Sequence, residues 1–88
     1  MDTSIRLRHS PNATFQADVA ILIHAQTSVY YSLNEVGTVF WNMLDGTRTI
    51  ADCATAIAAE YAAPPEVIAA DLLEISADLM KEGLAEAA

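Results

Sequence analysis

Three carboxylates, Asp71, Glu74 and Asp78, recur at spacings of three and four residues, which places them on one side of any helix that carries them. Such a set could hold a divalent cation through its oxygens, or could steer a cationic side chain of a partner. Charge runs are usually solvated, so the first reading is a water-facing helix side. The two histidines, His9 and His24, lie on or beside strand-like segments, with no second histidine or carboxylate at metal-binding spacing. Cys53 falls on the inward stripe of a helical segment, where a small core residue is expected and no neighbouring base can be named. Gly37, Gly46 and Gly83 lie far apart, so no loop is built to cradle phosphate. No catalytic residue, metal site or cofactor is expected, and an enzyme is the weakest reading.

Composition narrows the partners. The chain has twelve Asp/Glu against four Lys/Arg, and from Thr49 onward there are eight acids and one lysine, Lys81. Nucleic-acid binding rests on cations that neutralise phosphates, and an anionic membrane surface makes the same demand. Neither partner is expected; the acidic surface suits a basic partner or simply solubility. Eighty-eight residues, 53% of them hydrophobic, are expected to fold as one small domain spanning 1–88. The single cysteine excludes an internal disulfide and fits a reducing compartment. With no signal-like start and no long apolar run, a soluble cytoplasmic chain is expected.

The order of elements is strands and then helices. "SIRLRHS" alternates apolar and polar residues, "SPN" at 10–12 is turn chemistry, and Val19 to His24 is the strongest strand core. A hairpin from Val19 to Leu33 is the economical pairing, with "AQTS" at 25–28 as its connection. Whether 5–8 or 14–17 supplies the first strand stays open. Asn34 is a good helix cap, Val36, Phe40, Met43 and Leu44 line one face, and Asp45-Gly46 ends that helix. Trp41, next to Phe40, is expected to point off the main stripe. Thr49 with Asp52 resembles a capping box for a second helix, whose stripe is Ile50, Cys53, Ile57 and Tyr61. A third helix runs from about Pro65 to about Glu82, Gly83 ends it, and the final "AEAA" is expected to fray. This is an α+β arrangement.

The third helix has more apolar surface than one core face requires. Ile68, Leu72, Ile75 and Leu79 form one stripe, and Ala69, Leu73, Ala77, Met80 and Leu84 a second, so that the apolar arc is about 200°. Either neighbouring elements cover both stripes, or the second lines a groove or a homodimer contact. A strand at 29–33 left at the sheet edge beside this helix would offer unpaired backbone groups to an added strand. A winged-helix transcription regulator has the same element order. Its DNA-reading helix needs Arg, Lys, Asn or Gln toward the groove, and this helix offers Asp and Glu.

Between residues 19 and 84 the pieces "YYSLN", Gly37 with Trp41 four residues on, "LDG" at 44–46, "RT" at 48–49 and "DLLEISADLMKEGL" at 71–84 resemble, in their order and spacing, the PqqD-like family. These are recognition elements for ribosomally made, modified peptides, and the pattern is most similar to stand-alone members of lasso-peptide and related pathways. One departure is His24, where many relatives carry Asp before the hairpin turn, and the first 18 residues match poorly. The resemblance implies a winged helix-turn-helix-like domain, a three-stranded antiparallel sheet followed by three helices. It also implies a non-catalytic adaptor that takes the leader segment of a precursor peptide as an added strand. Such members present the precursor to a modifying enzyme such as a leader peptidase, a cyclase or a radical enzyme. On this reading Val29, Tyr30, Tyr31, Ser32 and Leu33 set the register, with Tyr31 leaning toward the helices and Tyr30 facing away. Leu72, Leu73, Ile75, Ala77, Leu79 and Met80 are the pocket candidates, and Asp71, Glu74 and Asp78 the steering ones. The alternative is a homodimeric structural module that binds no peptide.

Overall fold

The computed structural model describes residues 2–88. Along the chain it forms β1 (Arg6–His9), β2 (Ala13–Gln16), β3 (Ile21–His24), β4 (Tyr30–Ser32), α1 (Glu35–Met43), β5 (Asp45–Thr49), α2 (Ile50–Tyr61), α3 (Pro65–Lys81) and β6 (Ala85–Ala87). The expected three-stranded antiparallel sheet is β2-β3-β4, with Phe15 opposite Leu22 and Leu22 opposite Tyr31. Its first strand is therefore the 13–16 segment. The 6–9 segment instead centres a second antiparallel sheet, β5-β1-β6.

Local chemistry sets the helix ends. Asn34 accepts the Gly37 N–H at 2.7 Å and caps α1. Thr49 and Asp52 exchange side-chain bonds with each other's backbone N–H at 3.0 Å, a full capping box for α2. Pro65 opens α3, where its missing N–H costs nothing. Gly83, at φ +70°, reverses the chain after α3. The sequence expectation of a fraying C-terminus is corrected here. Leu84 is fully buried, its carbonyl accepts the Ser10 N–H at 3.0 Å, and Ala85–Ala87 pairs with β1. Asp45-Gly46 does end the helix, and the residues after it continue as β5.

The core gathers Leu7, Leu22, Phe40, Ile50, Ile57, Leu72 and Leu79 with Cys53 between α2 and its neighbours. Trp41 is buried too. Its indole lies under the His9 ring, centroids 3.7 Å apart and nearly parallel, and its carbonyl accepts a bond from His9 Nε2 at 2.7 Å. Among the described residues no helix is long and apolar enough to cross a membrane.

Candidate peptide-binding groove

The site begins with the backbone of β4. The Leu33 N–H donates to Ala20 and the Val29 carbonyl accepts from His24, so odd-numbered residues turn their hydrogen-bonding groups toward β3. In an antiparallel ladder the even-numbered ones must then point away. The N–H and C=O of Tyr30 and Ser32 thus face outward, and among the described residues no strand pairs with that edge. Four backbone groups stand ready in the plane of the sheet.

Side chains alternate the other way. Tyr30 is 70% exposed on the outer face, whereas Tyr31 turns toward α3, and its hydroxyl donates to Asp78 Oδ2 at 2.9 Å. Burial, helped by the Asp78 acceptor and the nearby negative charges, pushes the Tyr31 hydroxyl up to about 12. Below this pair a groove opens in two joined compartments. The first, of about 370 Å³, is lined by Tyr31, Ser32, Leu33, Asn34, Gly37 and Ile75. The second, of about 280 Å³, is walled by Asp71, Glu74 and Asp78 and shares Tyr31, Asn34 and Ile75 with the first. No cation of the described residues lies within ion-pair distance of those three carboxylates.

The pocket candidates separate sharply. Of the six apolar residues proposed on α3, only Ile75 lines the groove. Leu72 and Leu79 are 0% exposed in the core, so they present no surface to a ligand. Leu73 is half-buried against the core, and Ala77 and Met80 are exposed outside both compartments. The second apolar stripe does not face the sheet edge. Its Ala69 sits instead beside Ala51 and Ala54 of α2, the helix against which α3 packs most extensively. The side of α3 that meets β4 is the one carrying Ile75 and the acids. Asp71, Glu74 and Asp78 all line the second compartment. Asn34, Val36 and Gly37 were missed, although a glycine in the first turn of a helix, where no turn requires it, was a readable signal.

The other reactive side chains have structural surroundings. Burial pushes the Cys53 thiol up, which disfavours the thiolate a nucleophile needs. His24 is buried, and its Nδ1 accepts the N–H groups of Gln26 and Thr27, both at 3.2 Å. Among the described residues no three His, Cys, Asp or Glu side chains are grouped to hold a metal.

Residues 20–85 match the profile of coenzyme PQQ synthesis protein D, the PqqD family. The chain belongs to this family. No curated protein matches it. Among solved structures it is similar to TbiB1 in complex with the TbiA(beta) leader peptide, at 27% identity over 90% of this chain and 94% of that one, TM-score 0.75. It is also similar to a lasso peptide synthetase B1 complexed with the leader peptide, at 21% identity over 92% and 98%, TM-score 0.76, a likeness of fold. The His24 side chain closes the turn between β3 and β4. The imidazole nitrogen accepts the two turn N–H groups that an Asp carboxylate would accept in an Asx-type turn.

Proposed function

We propose that this PqqD-family chain is a non-catalytic adaptor that binds the leader segment of a ribosomally made precursor peptide as an extra strand along β4. The observation that carries the reading is the outer edge of Tyr30 and Ser32, unpaired among the described residues, running beside a groove lined by Leu33, Gly37 and Ile75. An extended peptide there gains backbone bonds for register, while alternate side chains reach the groove for selectivity. The complex of TbiB1 with a leader peptide, the more identical of the two similar structures, supports the same reading. Asp71, Glu74 and Asp78 attract a basic residue of the leader, and the bound precursor is presented to a modifying enzyme such as a leader peptidase, a cyclase or a radical enzyme.

The test is titration with a synthetic precursor leader while recording backbone amide shifts. Changes at residues 29–33, Gly37 and 71–78 are expected. Saturable binding that moves only other residues sinks strand addition at β4. In the homodimer alternative the second apolar stripe of α3 is buried against another copy and no peptide binds, but two copies each of formal net charge -8 repel. Sedimentation that shows a dimer unchanged by leader peptide would favour it over the adaptor.

A further inference from the structure

The outer face of the β2-β3-β4 sheet carries side chains that the core does not use. Thr14, Ile23 and Tyr30 stand opposite one another in one row across the three strands, and Gln16, Ile21 and Ser32 in another. Directly opposite residues turn their side chains to one face, and by alternation both rows lie on the face away from Leu22 and Tyr31. Ile21 and Ile23 are half-buried, yet neither is among the side chains packed on the core. None of the six residues is charged, in a chain of formal net charge -8. The two rows end differently at the free edge. One ends on Tyr30, 70% exposed, with Ile23 on its β3 side and no strand on the other among the described residues. The other ends on the short side chain of Ser32, which has little surface to cover.

We infer that Tyr30 is a specificity-determining residue on the face opposite the groove: it selects an aromatic or β-branched apolar side chain at the peptide position that lies beside it. This rests on strand addition along β4 and deepens it by assigning the peptide residues that point away from the groove. An added strand becomes the fourth member of each row, because its side chains alternate as those of β4 do. Its residue beside Tyr31 faces the groove, and those beside Tyr30 and Ser32 face outward. An apolar side chain beside Tyr30 covers the free side of the ring, and aromatic and β-branched pairs are the favourable cross-strand ones. Two residues along the peptide, the side chain beside Ser32 meets no ring and is free to vary. Asp71, Glu74 and Asp78 lie on the groove side, so a basic residue is drawn there and an apolar one here.

The experiment selects peptides from a random library displayed on phage against the full chain, and resynthesises an enriched one. Intermolecular nuclear Overhauser effects to the Tyr30 and Ser32 protons identify the peptide residue beside each. Those two residues are replaced in turn by Ala, Val or Phe, and Kd is measured on wild type, Tyr30→Ser and Ser32→Tyr. On wild type, Val and Phe beside Tyr30 are expected to bind about three- to fivefold tighter than Ala, while the position beside Ser32 varies by less than about twofold. Tyr30→Ser is expected to compress the first preference below about twofold while the peptide still shifts the amides of residues 30 and 32. Ser32→Tyr is expected to create a preference at the second position. Both side chains are exposed, so neither change touches the core, and melting temperatures check this. The ranking is the readout, so a general weakening of the strand does not mimic the effect. A peptide held at β4 with no ranking beside Tyr30, or the same ranking on Tyr30→Ser, overturns the inference alone. Enrichment of nothing, or only of peptides that leave the β4 amides unmoved, overturns the strand-addition reading and the inference with it.

Discussion

Replacing Ser32 with proline separates the fold from its edge. Proline removes one N–H, and at Ser32 that N–H points outward, away from β3. Edge strands tolerate proline in that orientation, and Tyr31 before it is already extended as proline requires. The isolated protein should lose less than about 1 kcal/mol, a fall of about 4–8 °C at most in a domain of this size. An added strand loses more. It forfeits one hydrogen bond, worth about 1 kcal/mol net, and leaves its own carbonyl facing the ring, which costs about 1 kcal/mol or more. The sum of about 2 kcal/mol is roughly thirtyfold in Kd. Fluorescence polarisation of a labelled leader peptide measures the binding, and a thermal melt monitors the fold. A Ser32→Pro protein that melts like wild type and binds within about threefold of it refutes pairing at this edge. If the melt collapses instead, N-methylating the peptide at alternate residues removes the complementary bonds, from peptide N–H groups to the outward carbonyls of Tyr30 and Ser32, and only one parity should weaken binding.

Three further outcomes follow from single contacts. His24→Asp keeps an acceptor for the Gln26 and Thr27 N–H groups and should melt close to wild type, whereas His24→Leu leaves both unpaired and should cost about 1–3 kcal/mol by denaturant titration. Ser76→Ala should be neutral or stabilising by up to about 1 kcal/mol in the same assay, because its hydroxyl is fully buried with no partner among the described residues. Tyr31 is raised from 10.0 to about 12, so the folded state holds its proton more tightly than the unfolded one. That contribution is intact below pH 10 and is lost as pH rises toward 12; Tyr31→Phe should flatten this part of the alkaline stability profile.

The element types and their ends were written locally. Asn34, Thr49 with Asp52, Pro65 and Gly83 act within a few residues of themselves, and each stands where its cap or break is needed. The parity of Tyr30 and Tyr31 was equally legible, since Leu33 had to be inside and period two does the rest. The C-terminal strand was not legible. "AEAA" has little β propensity, and it pairs because β1, far away in sequence, presents a free edge once Gly83 has turned the chain.

The chain by itself determined that α3 would be apolar over more than one face and acidic over the rest. A helix with so wide an apolar arc can be rolled about its axis and still bury leucines, so the pattern leaves open which flank meets the sheet. That choice was made by packing. α2 takes the side with Ala69, and what remains for β4 is Ile75 with Asp71, Glu74 and Asp78. The bond from Tyr31 to Asp78 joins residues 47 apart, a separation over which no local periodicity carries information. Which residues form the groove, and that β4 is left at the sheet edge beside it, is therefore a property of how the elements settle on one another, whereas the opposite facing of Tyr30 and Tyr31 was already set by alternation along the chain.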